Sequence, residues 1–134
     1  MSLDAMILLL AMRTLNPYAD PALAEAVVAS GATWEEATWL VGIGYRESGY
    51  RLRAVGDHGR SLCAYQLQGA PRAVLTDAGL CTRLALRALR ASAALCPSQP
   101  LAAYAGARCG SELAGRISRD RWRVGSRALG RVLP

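Results

Sequence analysis

The chain alternates between helix-length stretches, apolar at every third or fourth position, and short segments of turn chemistry. The apolar run Ala5 to Met12 lies in the first predicted helix, Leu3 to Leu15. Asn16-Pro17 breaks it, because a residue before proline leaves the helical region. Asp20-Pro21 pairs an N-cap with a proline in the first turn, and the second predicted helix, 21–30, ends at Gly31. Thr33-Trp34-Glu35-Glu36 has the form of a capping box: the Thr33 hydroxyl accepts from the Glu36 backbone N–H, and Glu36 reaches back to Thr33. A helix over 34–48 follows, with Gly49 as terminator. Gly42 and Gly44 would weaken an exposed helix, so they predict a packed one that another backbone approaches closely.

From Arg51 to Gln68 the helical pattern stops. Gly56-Asp57-His58-Gly59-Arg60-Ser61 is turn chemistry and predicts a short irregular hairpin or extended loop. A short helix is expected to start within Cys63 to Gln68, before a break at Gly69-Ala70-Pro71. Thr76-Asp77 caps a helix over 78–94. There Cys81, Leu84, Ala85, Ala88, Ala91 and Leu95 recur at helical spacing, opposite Arg83, Arg87 and Arg90. Pro97 and Pro100 bound a loop. A short helix is expected over 100–105 and a basic final helix over 111–129. No repeat, low-complexity stretch or linker interrupts the chain, so residues 1–134 read as one domain.

Composition narrows the class. The 134 residues are 52% hydrophobic, rich in Ala and Leu and without Phe, which favours a mainly helical domain with its own core. The net charge is +6, and every basic residue is arginine. Such a charge suits an anionic partner, whether nucleic acid, membrane surface or envelope polymer; it also suits a solvated helix face. Arg116, Arg119, Arg121, Arg123, Arg127 and Arg131 concentrate it in the last helix, around Trp122. No nucleic-acid-binding motif accompanies them, so no specific nucleic acid is expected. The N-terminal apolar run is too short to span a bilayer, and Asp4 without a basic flank does not read as a signal peptide.

With one histidine and no Cys-x-x-Cys spacing, neither a zinc site nor a cofactor is expected. Cys63, Cys81, Cys96 and Cys109 suggest two disulfides formed in an oxidising compartment. A straight helix from Cys81 to Cys96 would separate them by about 22 Å, too far to bridge. Cys63–Cys81 with Cys96–Cys109, or Cys63–Cys96 with Cys81–Cys109, remain. The first is preferred.

Glu47 stands out on physical grounds. It lies seven residues after Leu40 and four after Ile43, on an otherwise apolar helix face. Desolvation there disfavours the carboxylate and raises its pKa. A carboxylic acid that keeps its proton can protonate a glycosidic oxygen. The competing role is an ion pair with Arg46, Arg51 or Arg53.

Glu47-Ser48-Gly49-Tyr50 resembles the Glu-Ser-Gly-aromatic motif of the soluble lytic transglycosylase and goose-type lysozyme group. Further motifs follow in order. Arg53-Ala54-Val55-Gly56 is similar to that group's Asn-Ala-Val/Ile-Ser. Gly59-Arg60-Ser61-Leu62-Cys63-Ala64-Tyr65-Gln66-Leu67 resembles its Gly-Ala-x-Gly-Leu-Met-Gln-Leu segment. Asp77-Ala78 resembles the Asp-Pro that opens its next helix, and Leu101-Ala102-Ala103-Tyr104-Ala105-Gly106 its Ala-Tyr-Asn-Ala-Gly motif. The resemblance covers residues 34–110. The chain departs from it at Cys63-Ala64, where Gly-Leu is usual, and in lacking the Asn after Tyr104.

The resemblance implies a mainly α, lysozyme-like fold with a minimal β-hairpin. It implies cleavage of the bond between N-acetylmuramic acid and N-acetylglucosamine in peptidoglycan, with Glu47 as general acid and base. A lytic transglycosylase closes a 1,6-anhydro ring with the sugar's own C6 hydroxyl; a muramidase needs a second acid to activate water. Asp57, ten residues after Glu47, is the candidate for that acid, or an ordinary turn residue. Ser48, Ser61, Gln66 and Tyr104 are the implied substrate contacts. His58 is expected on the loop, and Tyr50, Tyr65, Trp34 and Trp39 in the core. The site of action implied is the periplasm or cell envelope, reached by an unidentified route that includes delivery by a phage, and the chain is expected to act as a monomer. The alternative is a non-catalytic lysozyme-like module that binds glycan or builds a phage particle.

Overall fold

The computed structural model describes residues 1–133. Five helices carry the chain: α1 (Leu3–Leu15), α2 (Pro21–Ala29), α3 (Trp34–Ser48), α4 (Ala78–Leu95) and α5 (Glu112–Gly130). Each starts at a side-chain cap: Ser2, Asp20, Thr33, Asp77 and Ser111 accept from backbone N–H groups of the first turn. The Thr33–Glu36 capping box forms as expected, with bonds of 3.1 and 2.9 Å. Glu36 also takes a two-pronged bond from Arg90 of α4, at 2.7 and 3.0 Å. That pair pulls the Glu36 carboxyl down to about 2.

The core is one mainly aliphatic cluster of Leu8, Met12, Leu23, Val27, Leu40, Val41 and Ile43 with Tyr50, Tyr65 and Leu101. Burying each such aliphatic side chain contributes about 1.5–3 kcal/mol. Helix α3 runs through it and packs chiefly on α5. Two glycines set that crossing. A Cβ at Gly42 would collide with the Arg121 carbonyl, and one at Gly125 with the Thr38 carbonyl. The close approach read from Gly42 is therefore real, and its partner is α5. Gly44 has a different role: a Cβ there would press on the Tyr50 ring at 3.0 Å.

Between α3 and α4 lies a small antiparallel sheet in the order β1 (Val55–Gly56), β2 (Ser61–Leu62), β3 (Leu67–Gln68). The helix expected within Cys63 to Gln68 does not form. Cys63 and Gln66 take left-handed backbone, φ 65° and 51°, and the chain turns back to pair as β3. Residues 100–105 likewise make successive turns and no helix, with Ala102 N–H on the Gln99 carbonyl and Ala105 N–H on that of Leu101. The left-handed Gly106 and the Cys96–Cys109 disulfide confine that segment.

The buried face of α4 is also rotated from the expected stripe. Cys81, Thr82, Ala85, Leu86, Leu89 and Ser92 are buried, whereas Ala91 and Leu95 face solvent. Leu84 and Ala88 line a cleft instead.

The disulfides are Cys63–Cys81 and Cys96–Cys109, the preferred pairing. The first pins the β2–β3 turn to α4 and closes 18 residues of chain. Replacing both Cys63 and Cys81 with Ser is expected to cost about 3 kcal/mol, read as a lower denaturant midpoint. No helix among the described residues is long and apolar enough to cross a membrane.

Candidate active site

The last turn of α3 is held from four directions, and each tie comes from a residue beside Glu47 or just after it. Gly49 caps the helix in left-handed conformation, φ 65°, its N–H on the Tyr45 carbonyl. Asn16 donates to the Gly49 carbonyl at 2.6 Å. The buried Tyr50 hydroxyl donates to the Val41 carbonyl at 2.7 Å. Ser48 donates to the Ala64 carbonyl at 2.7 Å and accepts the Arg51 N–H at 3.0 Å. Ser48 is thus buried and committed to backbone. Its implied sugar contact gives way to a structural one: it joins the Glu47 helix to the sheet.

Glu47 faces a cleft of about 650 Å³. Its side chain keeps 32% of its surface exposed. Burial pushes its carboxyl above the usual range. The Arg121 guanidinium, 3.7 Å away, pulls in the opposite direction, and the charge of Asp57 adds to the rise. The net direction is upward.

None of the three arginines near Glu47 in sequence is its partner. Arg46 makes a two-pronged bond to Asp120, both contacts 3.0 Å, and Arg51 donates to the Ser48 carbonyl at 2.9 Å. Arg121, 74 residues beyond Glu47, arrives through the Gly42 crossing. Asp120 holds it at 2.9 Å and Arg46 holds Asp120, so the guanidinium is fixed in a chain of charges. Sequence reading grouped Arg121 with the basic tail. A signal was present: Arg121 falls between Ile117 and Gly125 on the inward face of α5.

Asp57 lines the same cleft from the turn between β1 and β2, in left-handed backbone with φ 50°. It accepts a short hydrogen bond from the Ser61 hydroxyl, and Ser61 is itself almost fully buried. The expected contacts Asp57, Ser61, Gln66 and Tyr104 therefore line one cleft with Glu47. Gln66 donates to the Cys63 and Ala54 carbonyls at 3.0 and 3.3 Å, which leaves its Oε1 as acceptor. The Tyr104 hydroxyl donates to the Tyr65 carbonyl at 2.9 Å. Burial and then the Glu47 charge hold its pKa well above the ordinary value. Tyr104 is therefore a wall beside Glu47 with its own proton committed elsewhere. Leu84, Ala88 and Ile117 make the apolar side of the cleft.

His58 is exposed on the loop, as expected, and Tyr50 and Tyr65 are core. Trp34 is not: it is 44% exposed. Trp39 is half-buried, packed against the core and in contact with the Trp122 ring. No protein-family model, curated protein or solved structure matches the chain.

Proposed function

We propose that the protein cleaves peptidoglycan glycan strands at the bond from N-acetylmuramic acid to N-acetylglucosamine, with Glu47 as general acid in a lysozyme-like fold. The observation that carries this reading is a half-buried, upshifted carboxyl in an open cleft that a second carboxylate, Asp57, also lines. The protonated Glu47 donates to the glycosidic oxygen as the bond to the anomeric carbon breaks. Arg121 keeps the resulting carboxylate tolerable and limits how far its pKa rises.

Asp57 favours hydrolysis over anhydro-ring closure. It lines the same cleft as Glu47 and is held by the Ser61 hydroxyl, and in an inverting hydrolase the second carboxylate activates water on the opposite face of the sugar. Asp57→Asn is expected to lower release of reducing ends by about 10²–10⁴-fold. A variant that releases anhydro-muramyl ends at the wild-type rate assigns Asp57 to the turn alone and the chemistry to the substrate's own hydroxyl. The two disulfides suit action in the periplasm or outside the cell.

Arg121→Met removes the nearest positive charge from Glu47. The Glu47 pKa then rises further, so the alkaline limb of the pH–rate profile moves to higher pH. An alkaline limb that stays in place or moves down contradicts the assignment of Glu47 as the acid.

The second reading is a non-catalytic glycan-binding or phage structural module. Ala105 favours it, because it lines the cleft where the resembled motif carries Asn. Binding to insoluble peptidoglycan with no sugar release would support that reading.

A further inference from the structure

Two of the three tryptophans meet outside the Glu47 cleft as a tilted, partly exposed pair. Trp122 of α5 and Trp39 of α3 have ring centroids 5.0 Å apart and planes tilted by 50°. Trp122 keeps 38% of its surface exposed, in a chain that buries Tyr50 and Tyr65 almost completely. Indole surface left open in this way is enriched at contact sites.

The pair sits in the middle of a trough. A depression of about 320 Å³ lies between Trp39, Trp122, Pro97 and Arg119. It shares Trp39, Pro97 and Pro100 with a neighbour of about 480 Å³ that reaches Arg90. At its other end it shares Arg119 with a third depression, of about 460 Å³, beside Arg116 and Gln99. None of these lining residues belongs to the Glu47 cleft.

Charge at the α5 end is one-sided. Arg116, Arg119, Arg123 and Arg127 are exposed and recur at helical spacing, so they form a single stripe. Among the described residues none of the four enters an ion pair. Gly115 leaves room for the Arg119 guanidinium: a Cβ there would stand 3.0 Å from its Nη1. Glu35 and Glu112 are the acids of the walls still unpaired, since Arg90 holds Glu36.

We infer that the trough binds an uncut stretch of a carboxylate-bearing glycan strand. Sugar rings lie on the Trp39–Trp122 pair, and carboxylates meet Arg116 and Arg119. This rests on the glycan-cleaving reading of the Glu47 cleft. Three adjoining depressions suit a polymer, and the indole and proline of their lining suit the flat apolar faces of pyranose rings. Ser98 and Glu35 supply partners for hydroxyl and amide groups. Arginine matches carboxylate geometry with two parallel N–H bonds. Duplex nucleic acid fits less well, because an apolar floor with two free acids opposes a phosphate backbone. The trough holds the protein on insoluble polymer while the cleft cuts elsewhere along it.

The test uses the full chain carrying Trp34→Phe and Glu47→Gln. Its two remaining tryptophans are the pair in the trough, and it does not consume the ligand. Titration with soluble, uncrosslinked peptidoglycan strands is expected to change tryptophan emission saturably. Adding Arg116→Ala and Arg119→Ala is expected to raise the half-saturation concentration about tenfold, and amidating the strand's carboxylates to do the same. Unchanged emission, while the wild-type chain cleaves the same strands, overturns the trough and leaves the cleft reading standing. A saturable change with no cleavage by the wild type supports the trough and overturns the cleft reading. Duplex DNA that produces the emission change at lower concentration than the glycan overturns the assignment to glycan.

Discussion

Glu47→Gln is expected to lower peptidoglycan cleavage by about 10²–10⁴-fold, the usual contribution of a general acid, and to leave the fold intact or slightly more stable. Both halves follow from the raised pKa. In the folded protein burial penalises the ionised carboxyl; in the unfolded chain water does not. An acid whose folded pKa lies above its unfolded value binds more protons folded than unfolded in the window between the two. Stability is therefore lost as pH rises through that window, and the loss persists above it. Gln carries no such penalty, and Arg121 retains Asp120 as partner. Thermal unfolding at neutral pH is expected to give a Tm equal to or above wild type. A large fall in Tm would make Glu47 a structural ion-pair member and remove the basis for its catalytic role.

Gly42→Ala is expected to be strongly destabilising although it lies away from the cleft. The new Cβ meets the Arg121 carbonyl, a backbone atom that no rotamer change can move. Overpacking costs about 1–3 kcal/mol, and a backbone neighbour places this site at the upper end or beyond. Unfolding midpoints in urea measure the cost. The same substitution pushes α5 away from α3 and carries Arg121 from Glu47. The alkaline limb of the pH–rate profile is then expected to rise, as in Arg121→Met, although neither side chain has changed. Loss of stability with an unmoved alkaline limb would mean that the crossing does not position Arg121. Gly31→Ala is not a fair control, since Gly31 has φ 78° and is strained by any side chain. Gly130→Ala, with open space around it, is the better one.

The helices were legible because their signals are local. The Asp77 cap, the Thr33–Glu36 box, Asp20-Pro21 and Gly49 each act within one turn, and the structure places all of them. The β1–β2 hairpin was legible in its turn chemistry; β3 was not, because it is two residues long and follows left-handed backbone at Cys63 and Gln66. Only Asp57-His58, flanked by glycines, advertises a turn. At Cys63 and Gln66 the conformation is imposed by the disulfide to Cys81 and by the Gln66 amide on two carbonyls. Two residues around the candidate site, Ser48 and Arg121, shared this fate. Glu47 was found from helix phase, whereas Ser48, in the same motif, proved to be a tie between elements. Arg121 was hidden by sequence distance, although its place among inward positions of α5 marked it as unlike its neighbours in the basic tail. The stripe on α4 misled in a useful direction: Leu84 and Ala88 are apolar because they wall the cleft.

In the proposed reaction Glu47 donates the proton that breaks a glycosidic bond. Mass spectrometry of the soluble products released from purified peptidoglycan, by the wild-type chain and by Glu47→Gln side by side, tests it most directly. Muropeptides with new reducing ends at N-acetylmuramic acid, abundant with wild type and nearly absent with Glu47→Gln, are the expected result. The same products in equal amounts from both chains, or none from the folded wild type, would contradict it.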